Sequence, residues 1–171
     1  MQESQDTANV QLPEKLIPED GRAQLRQMFD PMPNVAELHV YTEKDAKDVM
    51  SRFSLQIARE LSECSDKVEV YTHDEAEAKE LTGPEGLPSI AVKTKGSQHF
   101  VLRMLGAPLG HEGAALVKAV RLAGTGDSEL SKAATDHPAK HTGRREITGF
   151  GTGTRPHCPG QLAPAPAVPP E

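Results

Sequence analysis

Cysteine and histidine are the residues in this chain with the most reactive potential. The 171-residue sequence has two cysteines, Cys64 and Cys158. Thiol–disulfide exchange needs a thiolate to attack and normally a second thiol nearby to release the mixed disulfide. A Cys-x-x-Cys pair would supply both, and none is present. Cys64 lies between Ser62 and Ser65 near the end of a helical pattern, where the helix dipole raises a thiol pKa, so it reads as a structural thiol. Cys158 sits between His157 and Pro159, and a neighbouring imidazole favours the thiolate. A lone thiol of this kind could carry a mixed disulfide, as monothiol carriers do, but could not resolve it within the chain. His137, His141, His157 and Cys158 match no standard zinc spacing, so no metal is expected. Gly149, Gly151 and Gly153 follow no strand and open no helix, so no phosphate loop and no cofactor are expected. His111 and Glu112 mark a helix start, where Glu112 suits the dipole and His111 is placed to bond to nearby backbone.

These residues need a frame. From residue 13 to 29 the pattern is helical, with Leu16, Leu25, Met28 and Phe29 apolar and Pro31-Met32-Pro33 as a stop. Residues 35–41 alternate, with Ala36, Leu38 and Val40 on one face of a strand. Residues 44–61 carry Val49, Met50, Phe53, Ile57 and Leu61 as the stripe of a helix that covers a sheet. A second short strand at 68–71 and an acidic helix at 74–83 follow. Strands at 90–92 and 100–104 then form a hairpin across Lys95-Gly96-Ser97. A helix over 112–122 closes the unit, ended by Gly124 and Gly126. The first two strands should be parallel, and the hairpin completes a four-stranded mixed sheet. The fold class is therefore α/β.

Two further segments are set by composition. Residues 1–12 are polar and expected to be loose. Residues 127–171 are rich in Gly and Pro with little apolar periodicity, and are expected to be disordered. A net charge of -6 argues against nucleic acid and anionic membrane surfaces as partners. No apolar run reaches the ~20 residues of a membrane span, and the polar start does not read as a secretory signal, so a cytoplasmic location is expected.

The strings ELSECSDKVEVYT, LPSIAV and RMLGAPLGHEGAALVKAV resemble the first thioredoxin-like module of a two-module family. That family comprises the glutaredoxin-like protein disulfide oxidoreductases and the N-terminal domain of the alkyl hydroperoxide reductase flavoprotein. The resemblance covers roughly residues 13–126 and is most specific over 106–112. It implies a single thioredoxin-like domain whose Pro88 forms a cis peptide bond at a peptide-binding edge with Leu87 and Ser89. It also places Thr42 to Ala46 where catalytic relatives carry their cysteines, which makes this position redox-silent. The string Thr154-Arg155-Pro156-His157-Cys158-Pro159 is similar to the active-site motif of the second module, with Arg155 in place of the attacking cysteine and Cys158 in place of the resolving one. The implied tail is a remnant, a second module that starts, lacks its nucleophile and ends. The implied function is a non-catalytic scaffold or docking module of the thiol–disulfide system. The alternative is a monothiol electron carrier acting through Cys158. A reductase or peroxiredoxin would be the partner in either case. A third reading is a truncated relic without selected activity.

Overall fold

The computed structural model describes residues 11–79 and 86–126. The expectations for residues 1–10, for the second half of the acidic helix and for 127–171 lie outside those residues. Eight elements follow one another: α1 (Glu19–Phe29), β1 (Ala36–Tyr41), α2 (Val49–Ser62), β2 (Val68–His73), α3 (Glu75–Ala78), β3 (Ser89–Thr94), β4 (Leu102–Leu105) and α4 (Glu112–Thr125). The sheet order is β2-β1-β3-β4, with β1 parallel to β2 and the other pairings antiparallel. The expected α/β class and mixed four-stranded sheet are therefore present.

Strand β1 lies at the centre and is buried along its whole length. Ala36, Leu38 and Val40 face α2 and α4 and join Val68, Ile90, Val92, Leu116 and Val120 in the core. Phe29 and Met32 seal the end of that core where the chain enters β1. The opposite face of the sheet carries Glu37, His39 and Tyr41, because side chains alternate along a strand. The only described helix on that side is the four-residue α3, held by a capping box between Asp74 and Glu77.

Several boundaries differ from those expected, each for a local reason. Helix α1 starts at Glu19 rather than Pro13, with the acidic Glu19 and Asp20 in its first turn. It buries Arg22, Leu25 and Phe29, whereas Met28 is exposed. Helix α2 starts at Val49, where the Asp48 side chain accepts a 2.8 Å hydrogen bond from the Ser51 N–H and fixes the first turn. Its buried face is Ser51, Ser54, Ala58 and Leu61; of the expected apolar stripe Leu61 is buried and Ile57 packs against the core, whereas Met50 is exposed. The small side chains face the sheet, which leaves Phe53 half-buried on the flank of the helix. Helix α4 runs through Gly124 and stops at Gly126, whose φ of 68° is the left-handed cap that glycine adopts freely.

Candidate functional site

The ends of β1 and β3 meet at the Tyr41–Ser89 pair. That register brings the loop leaving β1 beside Pro88, whose peptide bond with Leu87 is cis, as expected. Pro88 is buried, and its carbonyl accepts a 2.7 Å hydrogen bond from the Gly106 N–H at the end of β4. On the other side of β1, the Thr42 N–H donates to the His73 carbonyl at 3.1 Å. The loop then turns through Ala46, which holds a φ of 43° that is uncommon for a residue with a Cβ. Exposed Glu43, Lys44 and Asp45 form the outer part of this loop.

The N-terminus of α2 is the place where free N–H groups and the helix dipole would stabilise a thiolate. Here Asp48 takes that role. Burial opposes its ionisation, but hydrogen bonds from Ser51 and from backbone N–H groups of the first turn outweigh it and hold the carboxyl below its usual range. The position is electrostatically complete without sulfur.

Cys64 lies at the other end of α2, about 20 Å along a helix of this length. Its thiol is buried and donates to the Glu60 carbonyl at 3.2 Å. Burial pushes its pKa up, against the opposing pull of Arg22 and Arg26. This matches the structural role expected for it. In the folded protein Cys64 should remain unmodified by a charged thiol reagent and react only after denaturation, which mass spectrometry of the modified peptide checks. Cys158, His137, His141 and His157 lie outside the described residues. Among the described residues, no three His, Cys, Asp or Glu side chains converge as metal ligands. His111 makes no side-chain capping bond at the start of α4, contrary to the bond expected of it, while Glu112 does sit in the first turn.

The polar face of the sheet holds a second group of residues that sequence reasoning missed. His39 Nδ1 lies 2.8 Å from His73 Nε2, and the rings are 11° from parallel with centroids 5.0 Å apart. His39 Nε2 lies 3.3 Å from Glu37 Oε2, and His73 Nδ1 lies 3.3 Å from Glu77 Oε1. Lys93 closes the inner end, with its ammonium 3.1 Å from Glu37. Tyr71 packs on His39, Tyr41 packs on His73, and the Phe100 ring stands edge-on to His39. Burial of His39 holds its pKa below the usual imidazole value, with Lys93 and His73 adding to the effect and Glu37 opposing it. The available signal was the alternation in β1: Glu37, His39 and Tyr41 occupy every second position, with a matching Tyr71 and His73 in β2.

A mixed sheet in this order, with a cis-proline opening β3 opposite the loop that enters a long helix, defines a thioredoxin-like module. No protein-family model matches the chain, and no curated protein does. Solved structures do. The alkylhydroperoxide reductase protein AhpF of Enterococcus faecalis, as its C503A mutant, superposes with a TM-score of 0.73 at 25% identity, over 88% of this chain and 74% of that one. The NTD_N/C domain of E. faecalis AhpF gives 0.70 at 23% identity, with the same coverage of both chains. A protein disulfide oxidoreductase from Aeropyrum pernix gives 0.65 at 25% identity, over 83% of this chain and 62% of that one. The chain thus has the thioredoxin-like fold of these thiol–disulfide proteins, in agreement with the resemblance read from its sequence. No described helix is long and apolar enough to cross a membrane.

Proposed function

We propose that residues 13–126 form a non-catalytic docking module of the thiol–disulfide and peroxide-reducing system. In this reading a protein partner, a reductase or a peroxiredoxin, binds at the edge formed by Leu87, Pro88 and Ser89 beside the loop 42–48. The observation that carries the reading is the occupied helix N-terminus: Asp48 caps α2 where a redox thiolate would need those same N–H groups. The buried Cys64 supplies no substitute. Residues 127–171 carry the motif around Cys158, which resembles a second-module active site without its attacking cysteine, and the cytoplasm is the compartment that suits unpaired thiols.

A reductase-coupled disulfide reduction assay on the full chain, run beside Cys158→Ser and Cys64→Ser variants, tests this. The expected result is no turnover above the protein-free rate in any of the three. Turnover that disappears only in Cys158→Ser would overturn the non-catalytic reading in favour of the monothiol carrier.

A further inference from the structure

We infer that Glu37, His39, His73 and Glu77 form a one-proton site that couples acidification to release of the loop 42–48 from the end of β2. The loop belongs to the docking edge proposed above, and in that respect the inference rests on that reading. The proton site itself stands on the geometry of the sheet face.

Three contacts join the four side chains end to end: Glu37 to His39 at 3.3 Å, His39 to His73 at 2.8 Å and His73 to Glu77 at 3.3 Å. Each contact needs one proton between its heavy atoms. Two neutral imidazoles carry two protons, so one contact is then unfilled. The cheapest to leave so is the outer one, because Glu77 is exposed and water can substitute there. One added proton fills all three, and a single imidazolium is then shared between two carboxylates. A second added proton must put N–H against N–H across the 2.8 Å contact, with two like charges side by side. The surroundings discourage that step further. Lys93 on β3 adds a positive charge at Glu37 and lies over the Phe100 ring, 5.9 Å from its centroid. Arg103 on β4 acts on Tyr41 with the same sign. Tyr71 on β2 and Tyr41 on β1 offer only ring faces to the pair.

The pair therefore separates on acidification, and His73 is the mobile partner, being less buried than His39. Movement of His73 reaches the loop through two contacts: its carbonyl accepts the Thr42 N–H, and its ring packs 4.6 Å from that of Tyr41. The sign follows from linkage. In the unfolded chain His39 takes up a proton near 6.5, and in the folded chain only at lower pH. Its contribution to stability is complete above that value and is lost as pH falls below it towards the folded pKa.

The test is a histidine 15N NMR titration of the full chain, with amide exchange of Thr42 followed in parallel. In the native sequence His39 should take up its proton below its ordinary value, as its burial against Lys93 and His73 requires. The Thr42 protection factor should fall about tenfold as His39 takes up its proton. His73→Phe keeps a ring against Tyr41 but removes both nitrogens. In it His39 should titrate nearer its ordinary value, and Thr42 should lose its acid response. His73→Gln, which retains a neutral donor to His39, should also abolish the Thr42 response and serves if the Phe variant fails to fold. A His39 that titrates at its ordinary value, or a Thr42 amide indifferent to pH in the native sequence, would overturn the inference. The titration uses no partner, so a failure of docking leaves its outcome untouched.

Discussion

Replacing Glu60 with alanine is expected to destabilise the module by about 3–5 kcal/mol, because it strands a buried charge. Glu60 lies on α2 with only 6% of its side chain exposed, facing Arg22 of α1 at 8%. One carboxylate oxygen accepts the Leu16 N–H at 2.8 Å and the Gln56 amide at 3.0 Å. The other accepts the Ile17 N–H at 2.9 Å and the Arg22 guanidinium at 3.0 Å. A single side chain thus satisfies the backbone entering α1 and neutralises the one cation that α1 buries. Alanine removes every acceptor at once, and an unmet buried donor costs far more than an average hydrogen bond contributes. Glu63 still reaches Arg22 at 3.2 Å, but its side chain is 46% exposed and recovers only part of the loss. The check is a urea titration, with a lower midpoint at unchanged slope. A paired Arg22→Met, Glu60→Leu variant should recover most of the loss, since apolar replacement of both partners avoids the stranded charge.

The same carboxylate sets an acid limit on stability. Burial opposes ionisation of Glu60, but the Leu16 and Ile17 N–H groups, Gln56 and Arg22 together hold its pKa below the usual carboxylate value. Its contribution is complete above that usual value, near 4.5. It is lost as pH falls below it. Acid unfolding of the native sequence should therefore include a component that Glu60→Ala lacks.

Gly124→Val is expected to cost about 2–3 kcal/mol by overpacking. Gly124 lies in the last turn of α4, and any Cβ built there would overlap Met32, approaching its Cε at 2.6 Å and its Cβ at 3.0 Å. Met32 is 2% exposed and has little room to withdraw. The backbone cannot slide away either. The Gly124 carbonyl accepts from the Asn34 N–H at 3.0 Å and from the Asn34 side chain at 3.3 Å, and the preceding Ala123 carbonyl accepts from Thr94 at 2.8 Å. Combining Gly124→Val with Met32→Ala should lose less than the sum of the two single losses, because the added methyl groups fill the space that methionine vacates. Additive losses in that cycle would show that the cost comes from the helix backbone rather than from Met32.

Gly124 also shows where reading the chain residue by residue stops. Two glycines spaced as Gly124 and Gly126 both look like helix stops, and only Gly126 is one. The other is a close-approach site, and its reason lies in Met32, ninety-two positions earlier in the chain. Helix α2 repeats the lesson. Apolarity picks Met50 and Phe53, but closeness to the sheet is decided by Ser51, Ser54 and Ala58, which are small enough to let β1 and β2 in. Arg22 and Glu60 could not be matched either, since nothing local to a surface-type residue says that it will be buried against a partner two elements away. By contrast, the parallel first pair of strands and the closing hairpin and helix were legible in turn residues and periodicity, and the cis-proline followed from the family resemblance of LPSIAV.

The order of elements, the α/β class and the absence of a dithiol were determined by the sequence alone, since periodicity, turn chemistry and residue type are local properties of the chain. The tertiary structure decided which side chains share a face. His39 and His73 are thirty-four residues apart, and each reads as an unremarkable polar position in its own strand. They meet because β1 and β2 pair in parallel with Tyr41 beside His73, and register is a property of two strands together that neither one encodes by itself.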